Sequence, residues 1–167
     1  MQTRKLMLIS VYTAIALTLF VVEAQIPVPV PIPGVKLGLS NIVTLVALLF
    51  LDKRSAGMVL GVRITLGAFM IGAPSTLLFS GMGGLFAFFV MIITLKLLGR
   101  NQIWVVSILG ALAHNAGQLL MAAWVLRTMA IFAYSPTLIL SGIVAGCFTG
   151  VAARHMLRYE PWLSLKR

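Results

Sequence analysis

Long apolar runs separated by short polar clusters make up nearly the whole chain. The first, Leu6 to Ile26, is long enough at about 1.5 Å per residue to cross a hydrocarbon layer roughly 30 Å thick. It ends in PVPVPIPG, residues 27–34. Prolines at 27, 29, 31 and 33 fix φ and remove donors, so this segment reads as a stiff extended loop ending in Gly34. A short second helix over 37–51 is expected to start below the membrane surface, with the loop in a protein-lined cavity that tolerates irregular backbone. Asp52-Lys53-Arg54 ends it. A third span covers 55–71, where Gly57, Gly61 and Gly67 allow neighbouring helices to approach closely. After Gly72-Ala73-Pro74 a fourth covers 75–98; its Gly81-Met82-Gly83-Gly84 patch means tight packing or a local break. A fifth covers 102–126 after the Gly99-Arg100-Asn101 turn, and a sixth covers 136–153 after a turn containing Arg127. The pattern predicts an all-α polytopic membrane protein, one integral domain over 1–167 with six transmembrane helices. The C-terminal tail, RHMLRYEPWLSLKR, is polar enough to sit at the interface.

Composition agrees with the pattern. Of 167 residues, 60% are hydrophobic and 10% charged, against about a quarter charged in a soluble domain. The mean hydropathy of +1.07 leaves too little polar surface for a water-soluble enzyme. The net charge of +10 would suit nucleic acid only on a contiguous basic face, and these cations stand singly or in pairs between apolar runs, so no nucleic-acid partner is expected. They report orientation instead. Arg4, Lys5, Lys53, Arg54, Lys96, Arg100, Arg154, Arg158, Lys166 and Arg167, ten of the 13 cations, fall on the side of the termini, whereas Lys36 and Arg127 fall opposite and Arg63 lies inside a span. Short cytoplasmic loops retain Lys and Arg, so both termini are expected in the cytoplasm and the 27–36 loop outside. The lone Cys147 forms no intramolecular disulfide and reads as a small buried packing residue. No Cys/His cluster has metal-ligand spacing, so neither metal nor cofactor is expected.

A few polar residues have no reason to lie in lipid. Arg63, well inside the third span, either pairs with Glu23 or a carbonyl, or anchors an anionic substrate group. His114 and Gln118 are i and i+4 on the fifth span and share a face, with Asn115 about 100° around from His114. These three either contact a polar ligand or bond between helices. Lys36 and Glu23 flank the proline loop. Ser40-Asn41, opening the second helix, is an N-terminal cap or a set of amides able to bind an anion. Ser10, Ala14 and Thr18 form a small-residue stripe suited to close helix packing. Trp104 and Trp124 suit interface anchors, or flank a heteroaromatic ligand. The membrane segments hold one carboxylate, Glu23, and the chain has no Asp-rich Mg²⁺-diphosphate motif and no P-loop. The chain by itself therefore reads as a non-enzyme, and any pumping would draw on an ion or a partner subunit.

The combination of PGVKLGLSN at 33–41, Arg63 in a glycine-spaced helix and GALAHNAGQL at 110–119 resembles the Gx transporter family, labelled heptaprenyl diphosphate synthase component I, over essentially the whole chain. That family is similar to the substrate-binding S components of energy-coupling factor transporters. The resemblance implies an S-component-like six-helix bundle in the cell membrane whose 27–36 loop and Lys36 form an external lid. Lys36, Asn41, Arg63, His114, Asn115 and Gln118 would line a substrate pocket. Ser10, Ala14 and Thr18 would face a coupling transmembrane subunit served by two ATPase subunits, although Thr18 departs from the family's alanine pattern. The implied function is binding and uptake of a small anionic or heteroaromatic solute, such as a vitamin or cofactor precursor. The synthase label implies an alternative, a membrane accessory or carrier protein of prenyl diphosphate and isoprenoid quinone metabolism, in which Arg63 meets a diphosphate.

Overall fold

The computed structural model describes residues 2–26 and 38–159. The expected lid at 27–36, Lys36 included, and the chain from 160 onward lie outside these residues. Six α-helices follow in order: α1 (Gln2–Ala24), α2 (Asn41–Phe50), α3 (Lys53–Ile71), α4 (Pro74–Leu98), α5 (Ile103–Leu126) and α6 (Ser135–Met156). Short 3₁₀ turns at Arg100–Gln102, Met129–Tyr134 and Leu157–Tyr159 complete the described chain. Five of the helices are long and apolar enough to cross a membrane. The chain is an all-α, multi-pass membrane protein.

The breaks between helices follow local chemistry. Asp52 caps α3, its carboxylate accepting the Ser55 N–H at 2.6 Å. Gly72 closes α3 in the left-handed conformation at φ 68, and Pro74 starts α4 where a missing N–H costs nothing. The Gly81–Gly84 patch does not break α4, which runs without interruption through it.

The exception to the spanning pattern is α2. Its 10 residues reach about 15 Å, half of a bilayer core. All but Ile42 are buried, because α2 is enclosed by the other helices. Leu8, Tyr12 and Ala16 of α1, Val59 of α3, Ala87 and Met91 of α4, Val106 of α5 and Ala153 of α6 share one apolar cluster with it. A helix with no lipid-facing or water-facing side needs no amphipathic stripe.

Close backbone contact joins the second half of the chain. A Cβ on Gly146 of α6 would lie 2.5 Å from the Ile108 Cα of α5, and one on Gly150 would lie 2.8 Å from the Trp104 Cα. On the other side of α5, a Cβ on Gly117 would lie 2.8 Å from the Met82 carbonyl oxygen of α4. Glycine at these positions lets three helices touch main chain to main chain. The outer faces carry large apolar side chains such as Phe69, Leu97 and Phe148. Cys147 is exposed on this outer face, which corrects its expected burial: the inward face of α6 is Leu138, Gly142, Ala145, Gly146 and Thr149. Ser10, Ala14 and Thr18 are likewise exposed, along the outside of α1. The Thr18 hydroxyl turns back to the Ala14 carbonyl at 3.0 Å.

Candidate functional site

The short α2 determines the depth of the polar residues. Because it is too short to span the bilayer and is enclosed by the other helices, its first turn lies buried in the bundle, where unpaired backbone donors would be costly. Ser40 makes no side-chain cap. Glu23, near the end of α1, does that work from a distant part of the chain. Its buried carboxylate accepts the backbone N–H groups of Gly38, Leu39 (3.0 Å) and Ser40 (3.2 Å). A carboxylate at a helix start also matches the positive end of the helix dipole. Gly38 stands at φ +82, and a Cβ there would lie 2.9 Å from His114 Cδ2 and 3.0 Å from Asn41 Nδ2, so only glycine fits this turn.

Asn41 and Arg63 stand almost equally far along the chain from the Leu51-Asp52 turn, on the two legs of the α2–α3 hairpin, and so meet at a similar height. Arg63 Nη2 donates to Asn41 Oδ1 at 3.3 Å. Arg63 is 1% exposed, yet its Nε and Nη1 have no hydrogen-bond partner among the described residues, and neither has Asn41 Nδ2. No ion pair between Glu23 and Arg63 occurs among the described residues, and the Glu23 carboxylate is engaged by main-chain donors.

Helix α4 supplies the opposite wall through two glycines. A Cβ on Gly83 would lie 2.8 Å from His114 Cε1 and 2.9 Å from Gln118 Cγ, and one on Gly84 would lie 3.6 Å from Arg63 Nη2. Thus Asn41, Arg63, His114 and Gln118, from three helices, gather around the Gly38 turn and the Gly83-Gly84 wall. All four are buried. The centre is rich in donors: a guanidinium and two amides, with an imidazole beside them. That set suits an anion.

The other expected site residues lie elsewhere. Asn115 turns to α6, where its Nδ2 donates to the Leu138 carbonyl at 2.7 Å. It lines a separate apolar cavity of about 470 Å³ with Leu112, Leu119, Phe132 and Ile139. Trp104 and Trp124 face outward, 47% and 72% exposed. Lys36 is outside the described residues. Sequence reasoning missed Glu23 as the cap of α2 and the main-chain donors of residues 38–40. A capping box is recognised by a spacing of three residues, and an acid 17 residues before Ser40 gives no such signal.

The fold and this centre define a multi-pass membrane protein with a buried cationic and amide cluster. Residues 12–156 match the family model described as heptaprenyl diphosphate synthase component I, and the chain belongs to that family. No curated protein and no solved structure matches it.

The family read from the motifs at 33–41 and 110–119 stands, and three expectations attached to its transporter likeness are corrected by it. The chain was expected to be a non-enzyme; the family description makes it part of a synthase and so involves it in catalysis. Vitamin uptake as an energy-coupling S component conflicts with the same description. A coupling subunit with two ATPases gives way to a second synthase component as the partner. The reason is physical: missing acidic motifs describe this polypeptide alone, whereas a component shares its chemistry with another chain.

Proposed function

We infer that this chain is the membrane-embedded component of a prenyl diphosphate synthase assembly and holds the anionic head of a diphosphate-bearing isoprenoid in its polar centre. The observation that carries this reading is Arg63, 1% exposed with two guanidinium nitrogens lacking protein partners among the described residues. A buried cation left this way is costly unless something anionic meets it. Asn41, His114 and Gln118 surround the same point. The whole sequence holds three carboxylates, Glu23, Asp52 and Glu160. Glu23 caps α2 and Asp52 caps α3. Paired metal-binding acids for diphosphate chemistry therefore come from the second component. The chain forms one domain over 1–167, with the cation-rich side and both termini in the cytoplasm, where short loops retain Lys and Arg.

Binding of farnesyl diphosphate to the purified protein in lipid nanodiscs tests the reading. Arg63→Ala should weaken it about tenfold or more, the loss expected when a hydrogen-bonded charged group is removed. Equal affinity in wild type and Arg63→Ala would rule the polar centre out as the binding site.

A further inference from the structure

A second group of cations lies at the opposite end of α2. There the C-terminal end of α2, the start of α3 and the end of α4 border an open cavity of about 490 Å³, within the range of about 300–1,000 Å³ usual for small-molecule sites. Its walls are Leu48, Leu49, Leu51, Ile92 and Leu95, and its polar lining is Asp52, Lys53, Lys96 and Arg100. The one acid is already engaged: Asp52 Oδ2 meets Lys5 Nζ at 2.6 Å, and Asp52 Oδ1 accepts the Ser55 N–H. Arg100 is held in place by donating Nη2 to the Leu49 carbonyl at 2.6 Å, one of the carbonyls left over where α2 ends. Lys53 and Lys96 are exposed and form no ion pair among the described residues.

We propose that this cavity binds an amphiphile with a phosphate-class head, its head against Lys53, Lys96 and Arg100 and its hydrocarbon chain against the leucine and isoleucine wall. Orientation alone would require cations at this end but not a cavity between them. A free inorganic anion would use the cations and leave the apolar wall unfilled, whereas a neutral lipid would fill the wall and leave Lys53 and Lys96 unmatched. A phosphate head with a hydrocarbon chain satisfies both, and both an anionic phospholipid and a prenyl diphosphate carry that chemistry. The site is distinct from the Arg63 centre, which lies at the other end of α2, and it stands whether or not that centre binds a ligand.

The test uses the whole protein in phosphatidylcholine nanodiscs, titrated separately with phosphatidylglycerol, farnesyl diphosphate and inorganic diphosphate, with retention read by native mass spectrometry. At least one of the two amphiphiles should bind more tightly than phosphatidylcholine and inorganic diphosphate, and which one binds identifies the source. Lys53→Gln/Lys96→Gln should weaken that binding about 30-fold, the loss expected of two interfacial cations. If phosphatidylcholine competes equally, or if the double variant binds as wild type does, the site does not exist. A thermal melt confirms that the double variant folds. If it does not, Lys96→Gln alone replaces it, with a smaller loss expected and unchanged binding again overturning the site. Loss of farnesyl diphosphate binding in Arg63→Ala but not in the lysine variants would place that ligand at the polar centre and, if phosphatidylglycerol is also not retained, would overturn the cavity.

Discussion

The two ends of α2 carry charge under opposite physical regimes. At its start, Glu23 and Arg63 are 2% and 1% exposed, and every donor or acceptor left without a partner there carries the full cost of desolvation. At its end, Lys5 and Asp52 approach to 2.6 Å with side chains 38% and 48% exposed, so water screens their attraction. Distance alone does not rank these interactions; burial does.

The largest effect expected of breaking this contrast is at Glu23. Glu23→Ala removes the acceptor of three backbone N–H groups at the buried start of α2, a loss of about 3 kcal/mol or more at roughly 1–3 kcal/mol for each buried group left unsatisfied. Thermal melting in nanodiscs should show it, with Glu23→Gln intermediate because one carbonyl oxygen survives. An unchanged melt for Glu23→Ala would mean that the α2 start is satisfied some other way.

Packing comes next. Gly117→Val drives a side chain into the Met82 carbonyl and should cost about 1–3 kcal/mol, while Gly61→Val, where an added Cβ meets nothing within 4 Å, should melt like wild type. Equal melts for the two variants would show that α4 and α5 separate easily.

At Arg63 the expected sign reverses. Arg63→Met replaces a desolvated cation with an apolar side chain of similar length, so stability should be unchanged or higher, while affinity for farnesyl diphosphate falls. A marked loss of stability would make Arg63 a structural residue instead of a ligand anchor.

The smallest effect belongs to Asp52. The Lys5 hydrogen bond, followed by the Ser55 N–H, holds its carboxyl at about 2, below the usual carboxylate value. A depressed pKa contributes stability above the usual value that disappears as pH falls toward about 2. Asp52→Asn should cost no more than about 1 kcal/mol at neutral pH, and the melts of the two proteins should converge near the acid end of that window. A constant difference across the window would show that the charge is not what matters there.

Much of the helical layout was legible because the membrane imposes a simple requirement. Proline at 74 and 136, glycine at 72 and 99, and Asp52 mark helix ends through local backbone chemistry that a linear reading can see. Cys147 was misjudged because apolar residues of a membrane protein face either lipid or core, and composition does not distinguish the two. The candidate site was legible only as separate residues. His114 and Gln118 share a face by their i and i+4 spacing, but Asn115 could be assigned to α6 only once the Leu138 carbonyl was located. Glu23 was noticed for its charge, while its role as a cap of α2 depends on a contact between segments distant in sequence.

The sequence by itself determined that this protein is helical, apolar and membrane-embedded, and its motifs identified its family, because length, hydropathy and turn residues act locally. Only the tertiary structure decided that α2, read from the sequence as a short helix, is buried among the other five, that Asn41, Arg63, His114 and Gln118 meet while Asn115 does not, and that three cations share an apolar-walled cavity. Those outcomes depend on which helices are neighbours and at what height. The glycine contacts between α4, α5 and α6 and the length of α2 set those heights, and neither acts through adjacent residues.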